Sequence, residues 1–163
     1  MALSDAIELM LIHNDWANRQ ILEACRALTP EQFHRRFAMG PGSLHDTMTH
    51  VFEAMGIWSD NLAGRERRQW AKQLRAVDEL LVMQELTSAE FGALARAGGA
   101  ADPISATRLG KTYVFPRAGI VTHVATHGMH HRAQCLNMLR QVGVEKLPPS
   151  SVVEWMRDKD QAG

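Results

Sequence analysis

Four of the chain's eight histidines fall in the nine residues from His123 to His131, within Gly119-Ile-Val-Thr-His123-Val-Ala-Thr-His127-Gly-Met-His130-His131-Arg132-Ala-Gln134. Neutral imidazole is the commonest side-chain ligand for borderline divalent ions, and two rings one helical turn apart can hold a single ion. His127 and His131 have that i, i+4 relation. At 100° per residue, Ile120, Val124, Gly128, Cys135, Met138 and Val142 define an apolar face. His131 lies within roughly 30° of its centre and His127 within about 70° on the same side. His123 is displaced about 40° further, and His130 points more than about 120° away, into solvent. A single inward histidine is ordinarily satisfied by a carbonyl or a neighbouring side chain. Two on adjacent turns, among Val, Met and Cys, both need partners, and one ion serves both.

Two ligands rarely make a tight site, so a third is expected from another helix. His13, His34, His45, His50 and the carboxylates are the candidates. His45 belongs to the first turn of the second helix, near its rim, and His13 neighbours the core face of the first. His50 sits at one edge of an apolar stripe, beside Ala54 and Ile57. Spacing favours His50 only slightly.

The elements that must position these rings are helices. The first runs from Ser4, a plausible N-cap, to about Leu28, with Ile7, Met10, Asn14, Ala17, Ile21, Ala24, Cys25 and Leu28 on one face. Thr29-Pro30-Glu31-Gln32 opens a short extra turn, and Met39-Gly-Pro-Gly42 breaks the chain. The second helix starts at Ser43, with Asp46 at N3, and continues to about Ala63 along Leu44, Met48, Val51, Phe52, Met55, Trp58 and Leu62. The third spans about Gln73 to Ala97, with Leu74, Val77, Leu81, Phe91 and Leu94 as core candidates. Ile104 to Thr107 and Thr112 to Phe115 can pair as a small hairpin, and the fourth helix runs from about Arg117 to Gln141. A tail with Pro148-Pro149 and an amphipathic piece from Ser151 to Arg157 follows. Four such helices predict an all-α chain, a four-helix bundle forming one domain over residues 1–163.

Composition narrows the function classes. Lys plus Arg equals Asp plus Glu, 18 to 18, which leaves no electrostatic footprint for nucleic acid or anionic lipid. Arg65-Glu-Arg67-Arg68 reads as a solvated helix end. No apolar run approaches the roughly 18 residues of a membrane span, and the first residues lack the basic region of a signal peptide. The expectation is a soluble cytoplasmic protein. Cys25 and Cys135 fall among apolar helical positions and read as small buried hydrophobes.

Helix two, Leu44-His-Asp-Thr-Met-Thr-His50-Val-Phe-Glu-Ala-Met-Gly-Ile-Trp58, resembles the segment of DinB-like proteins in which a tryptophan follows a histidine by eight residues. Helix four resembles that family's second signature: histidine, three residues, histidine, arginine, glycine, glutamine. Asn14-Asp-Trp16-Ala-Asn18 is similar to its opening pattern. The likeness spans nearly the whole chain. It implies an up-down-down-up four-helix bundle, often a homodimer, with a divalent metal on three histidines; here those would be His50, His127 and His131. Ala133 and Thr126 depart from the family's usual glycine and asparagine without removing a ligand.

Three neutral nitrogens leave an open position, the pattern of catalytic rather than closed structural sites. An ion there, zinc or nickel by its donors, lowers the pKa of bound water to roughly 7 or holds a thiol as thiolate. The resemblance implies a metal-dependent enzyme acting on a small molecule, a transferase or hydrolase with a low-molecular-weight thiol as cosubstrate. The alternative is a non-catalytic metal-binding bundle. Glu53 is a candidate acceptor or base, though a solvated carboxylate is its ordinary fate. Arg132 is a candidate for steering an anion, though a surface ion pair is the usual one. Gln134 is placed to support a ligand, and Trp16 and Trp58 are core or pocket-wall residues.

Overall fold

Capping residues set where each amphipathic stretch becomes a helix. The structure is a computed structural model that describes residues 5–160; Ser4, expected as the first N-cap, lies outside the described residues. Helix α1 is Ala6–Cys25, and its cap is Asp5, whose carboxylate accepts from the Ile7 and Glu8 N–H groups. It ends at Cys25, a turn before Leu28. Thr29 and Gln32 form a reciprocal capping box on the short α2, Pro30–His34. Helix α3 is Leu44–Leu62, started by the Ser43 hydroxyl accepting from the Asp46 N–H. Helix α4 is Val77–Arg96, strands β1 and β2 are Pro103–Arg108 and Lys111–Pro116, α5 is Arg117–Gln141 and α6 is Val152–Asp160. The chain is mostly helical.

The third helix departs from expectation at its start. Gln73 and Leu74 precede α4, in a segment without helical structure held by other contacts. The Arg75 N–H donates to His45 Nε2 at 3.0 Å, and the Arg68 N–H donates to the Asp60 carboxylate at 2.9 Å. Leu74, expected in the core, is 78% exposed because outside the helix it does not share the helix's phase. Arg65 and Arg68 are likewise not a free helix end: both guanidinium groups clasp Asp60, itself 1% exposed, and both pair with Glu90.

The hairpin turns on Leu109 and Gly110, both at positive φ (50° and 73°), as a two-residue turn of matching twist requires. Its register places Ile104 opposite Phe115 and Ala106 opposite Tyr113.

Helix α1 packs on α4 and α5, and α3 packs on the same two. Glu8 meets Arg96, Asp15 meets Gln84 and Arg26 meets Asp78, so α1 and α4 run in opposite directions. His50 meets His131 and Trp58 meets His123, so α3 and α5 do too. Arg75 reaches His45 and Ser88 reaches Met55, so α4 follows the direction of α3.

The core is divided. One apolar cluster gathers Ile21, Leu22, Leu44, Met48, Phe52, Leu80, Met138 and Leu139; the other gathers Met55, Leu62, Phe91, Ile120, Val121 and Val124. Each fully buried residue of this size contributes about 1.5–3 kcal/mol. Between them lies a polar waist of Asn14 and Asn18 from α1, Gln84 and Thr87 from α4, and His131 and Arg132 from α5, all buried. Buried polar groups are costly unless hydrogen-bonded, so the waist asks what those side chains hold.

Candidate metal centre

At the edge of the waist, α3 and α5 bring three imidazoles together. His127 Nε2 lies 3.1 Å from His50 Nε2 and 3.1 Å from His131 Nε2. One ligand atom from each ring falls within 4.8 Å of the others. As whole residues, His131 is buried, His127 is half-buried and His50 is the most exposed of the three. Among the described residues no carboxylate or thiol joins this group.

The neighbours of His131 fix its protonation. Its Nδ1–H donates to Gln134 Oε1 at 2.8 Å, while Gln134 Nε2 donates to His130 Nε2 at 3.1 Å. In a neutral ring a proton on Nδ1 leaves the Nε2 lone pair free, and that lone pair faces His127. Hydrogen bonding alone would split one His127 proton between two acceptors. One cation accepts all three lone pairs. Tetrahedral zinc with bonds of about 2.0–2.1 Å sets its nitrogens about 3.3 Å apart, close to the observed spacing, so the donor set fits a divalent ion. Gly40, at φ 49°, lies directly against the Gln134 amide, where a β-carbon would collide with it.

The model of the DinB family matches residues 3–157 of the chain. The chain belongs to the DinB family. It is similar to Protein DinB of Bacillus subtilis (strain 168), with 24% identity over 173 residues covering 90% of this chain and 91% of that protein.

Arg132 corrects the expectation of a surface ion pair. It is 3% exposed and has no carboxylate partner among the described residues; its Nη1 donates to Asn14 Oδ1 at 2.6 Å and Asn18 Oδ1 at 2.8 Å. Burial pushes its guanidinium down to about 10, so it stays charged at neutral pH. The contact ties α5 to α1 beside His131. Gly128 makes room for it, since a β-carbon there would fall 2.8 Å from Arg132 Nη1 and closer to Asn14 Oδ1. Sequence did carry a signal: Arg132 is four residues after Gly128 and three before Cys135, on the apolar face.

Burial, then repulsion among His131, His50, His123 and His130, lowers His127 to about 4. Burial also lowers His50 and His131. The rings are therefore held neutral, the form that ligates.

The other candidates are elsewhere. His13 Nε2–H donates to the Ser150 carbonyl at 3.0 Å and packs with Trp16 and Trp155. His45, expected near a rim, is 3% exposed; its Nδ1–H donates to Asp46 and its Nε2 accepts from Arg75. His34 packs against His45, with ring centroids 4.7 Å apart and the planes tilted by 42°. Glu53 is half-buried outside the histidine group; burial raises its carboxyl, offset by Arg75, Arg67 and His45. Both cysteines are buried and free, and burial pushes the Cys25 thiol up to about 12. His130 is exposed, as expected, but it anchors Gln134. A groove of about 490 Å³ between α4 and residues 68–75 holds none of the site histidines.

Proposed function

We propose that this DinB-family protein binds one divalent metal ion, zinc or nickel, on His50, His127 and His131, and acts as a metal-dependent enzyme on a small molecule. The observation that carries the reading is the convergence of three Nε2 atoms from two helices, with His127 Nε2 at 3.1 Å from both partners. A bound ion would supply Lewis acidity and either an activated water or a stabilised thiolate at its open position. The chain's own residues orient the ligands: Gln134 fixes the His131 tautomer, and Arg132 holds the α5 backbone against α1. The exposure of His50 supports an open rather than a sealed centre. Transferase or hydrolase chemistry with a low-molecular-weight thiol is the reaction class we assign, in a homodimer of up-down-down-up bundles. The cross-helix pairs support that helix order.

Metal analysis of the purified protein beside a His127→Ala/His131→Ala variant tests the reading. We expect close to one equivalent of metal per native chain and none in the variant. Equal metal content in both would overturn it.

A further inference from the structure

The groove between α4 and residues 68–75 has two walls of unlike chemistry. One is a single stripe of α4 that includes Glu79, Val82, Leu86 and Glu90; the other is the non-helical strap, with Arg68, Trp70 and Arg75. The stripe from Glu79 to Glu90 is about 16 Å long at 1.5 Å per residue. The groove's volume of about 490 Å³ falls within the span of small-molecule sites, about 300–1,000 Å³. Trp70 is seated on α3 where Gly56 leaves room, since a β-carbon there would fall 2.4 Å from the indole.

Val82 and Leu86, one turn apart, are 58% and 66% exposed along this groove. Adjacent apolar side chains left open beside a concavity mark a binding surface more than scattered ones do. The polar groups narrow what binds. Arg75 is 8% exposed, lines the groove, and has no carboxylate at ion-pair distance among the described residues. Its backbone N–H donates to His45 and its Nη2 to the Ala71 carbonyl at 3.3 Å, while Nη1 is buried with no partner. Trp70 Nε1, which can only donate, is buried without a partner as well. The nearby carboxylates are otherwise engaged. Glu79 accepts from the Ala76 N–H at 2.7 Å, and Glu90 is shared by Arg65 and Arg68. Glu53 feels the Arg75 charge without pairing with it. A buried guanidinium with no counter-charge is costly. Water could supply acceptors here, but only an anion supplies the charge too.

We propose that this groove is a second ligand site, taking a small amphiphile with one carboxylate. The carboxylate meets Arg75, and the apolar chain lies along Val82 and Leu86 toward Arg68. An alcohol of the same length leaves the guanidinium uncompensated, and an amine is repelled by it. The site is independent of the metal reading, because its walls are α4 and residues 68–75 and hold none of the three histidines.

Isothermal titration of the purified protein with hexanoate, octanoate, decanoate and octanol tests it. Octanoate should bind at least about tenfold more tightly than octanol, the scale of a charge-assisted hydrogen bond. Each two added carbons should tighten binding about fourfold for a half-covered chain and about fifteenfold for a fully covered one. Arg75→Gln should bring octanoate and octanol to within about threefold of each other. Val82→Ser/Leu86→Ser should reduce the gain per two carbons to within about twofold while keeping the preference for carboxylate. Both of its positions are exposed, so this variant reads the site even where loss of the Arg75 side chain loosens the strap. His127→Ala/His131→Ala should bind octanoate as the native protein does. The proposal is overturned by native protein that binds no octanoate or binds octanol equally well, or by a carboxylate preference that survives in Arg75→Gln. An unchanged chain-length gain in Val82→Ser/Leu86→Ser also overturns it, as does loss of octanoate binding in the double histidine variant, which would place the carboxylate on the metal.

Discussion

Removing His127 should change stability in opposite directions with and without metal. An unfolded histidine titrates at about 6.5, whereas burial and the neighbouring rings hold His127 at about 4 in the folded chain. Between those values the unfolded chain binds the proton and the folded chain does not, so metal-free stability is full above pH 6.5 and is lost as pH falls toward 4. The gap corresponds to at most about 3 kcal/mol, and solvent reaching the half-buried ring reduces it to about 2 kcal/mol. His50 and His131 are shifted the same way and add to the slope. Urea denaturation of EDTA-treated protein from pH 7.5 to 4.5, followed by far-UV circular dichroism, reads this directly. His127→Gln should flatten the pH dependence by about 2 kcal/mol relative to native. At pH 7 with metal at a hundredfold excess over its Kd, the same variant should be the less stable, by about 2.7 kcal/mol. Parallel pH profiles for the metal-free native and variant proteins would refute the reasoning.

Three further outcomes follow from neighbouring contacts. Gln134→Ala should weaken metal affinity about 10–100-fold while leaving the helical spectrum intact, read by competition with a chelating dye; Gly40→Ala should act in the same direction by displacing the Gln134 amide. Metal release on acidification, expected from free imidazoles at about pH 6, should have its midpoint below 6, because burial already disfavours the protonated rings; dialysis and metal analysis at stepped pH measure it. Asp60→Asn should cost about 1.5–3 kcal/mol in urea denaturation, because it weakens the charge-assisted hydrogen bonds that Arg65 and Arg68 make to the covered carboxylate while both keep Glu90.

The helices were legible in the sequence wherever an apolar stripe and a cap coincided. Ser43 marks the start of α3, the Thr29 box marks α2, and the period of Ile120, Val124 and Gly128 carries α5 over the extent expected, Arg117–Gln141. Leu74 shows where that logic stops. Its spacing fits the α4 stripe, but the Arg68–Asp60 and Arg75–His45 contacts hold residues 68–75 in a non-helical path, and such long-range polar contacts leave no periodic trace. The pair His127 and His131 was readable because both ligands share one helix. His50 was only one of several candidates until the family pattern was considered, since helix periodicity says nothing about which face of α3 meets α5. Arg132 and the Asn14–Asn18 pair lay on apolar faces in plain view, yet residue type alone argues for the surface.

The most direct measurement is a crystal structure of the purified protein with anomalous data collected at the metal's absorption edge. A single anomalous peak about 2.0–2.2 Å from the Nε2 atoms of His50, His127 and His131 is the result expected. A metal-containing crystal whose anomalous peak lies on other donors, with the three rings bonded only to one another, would contradict it.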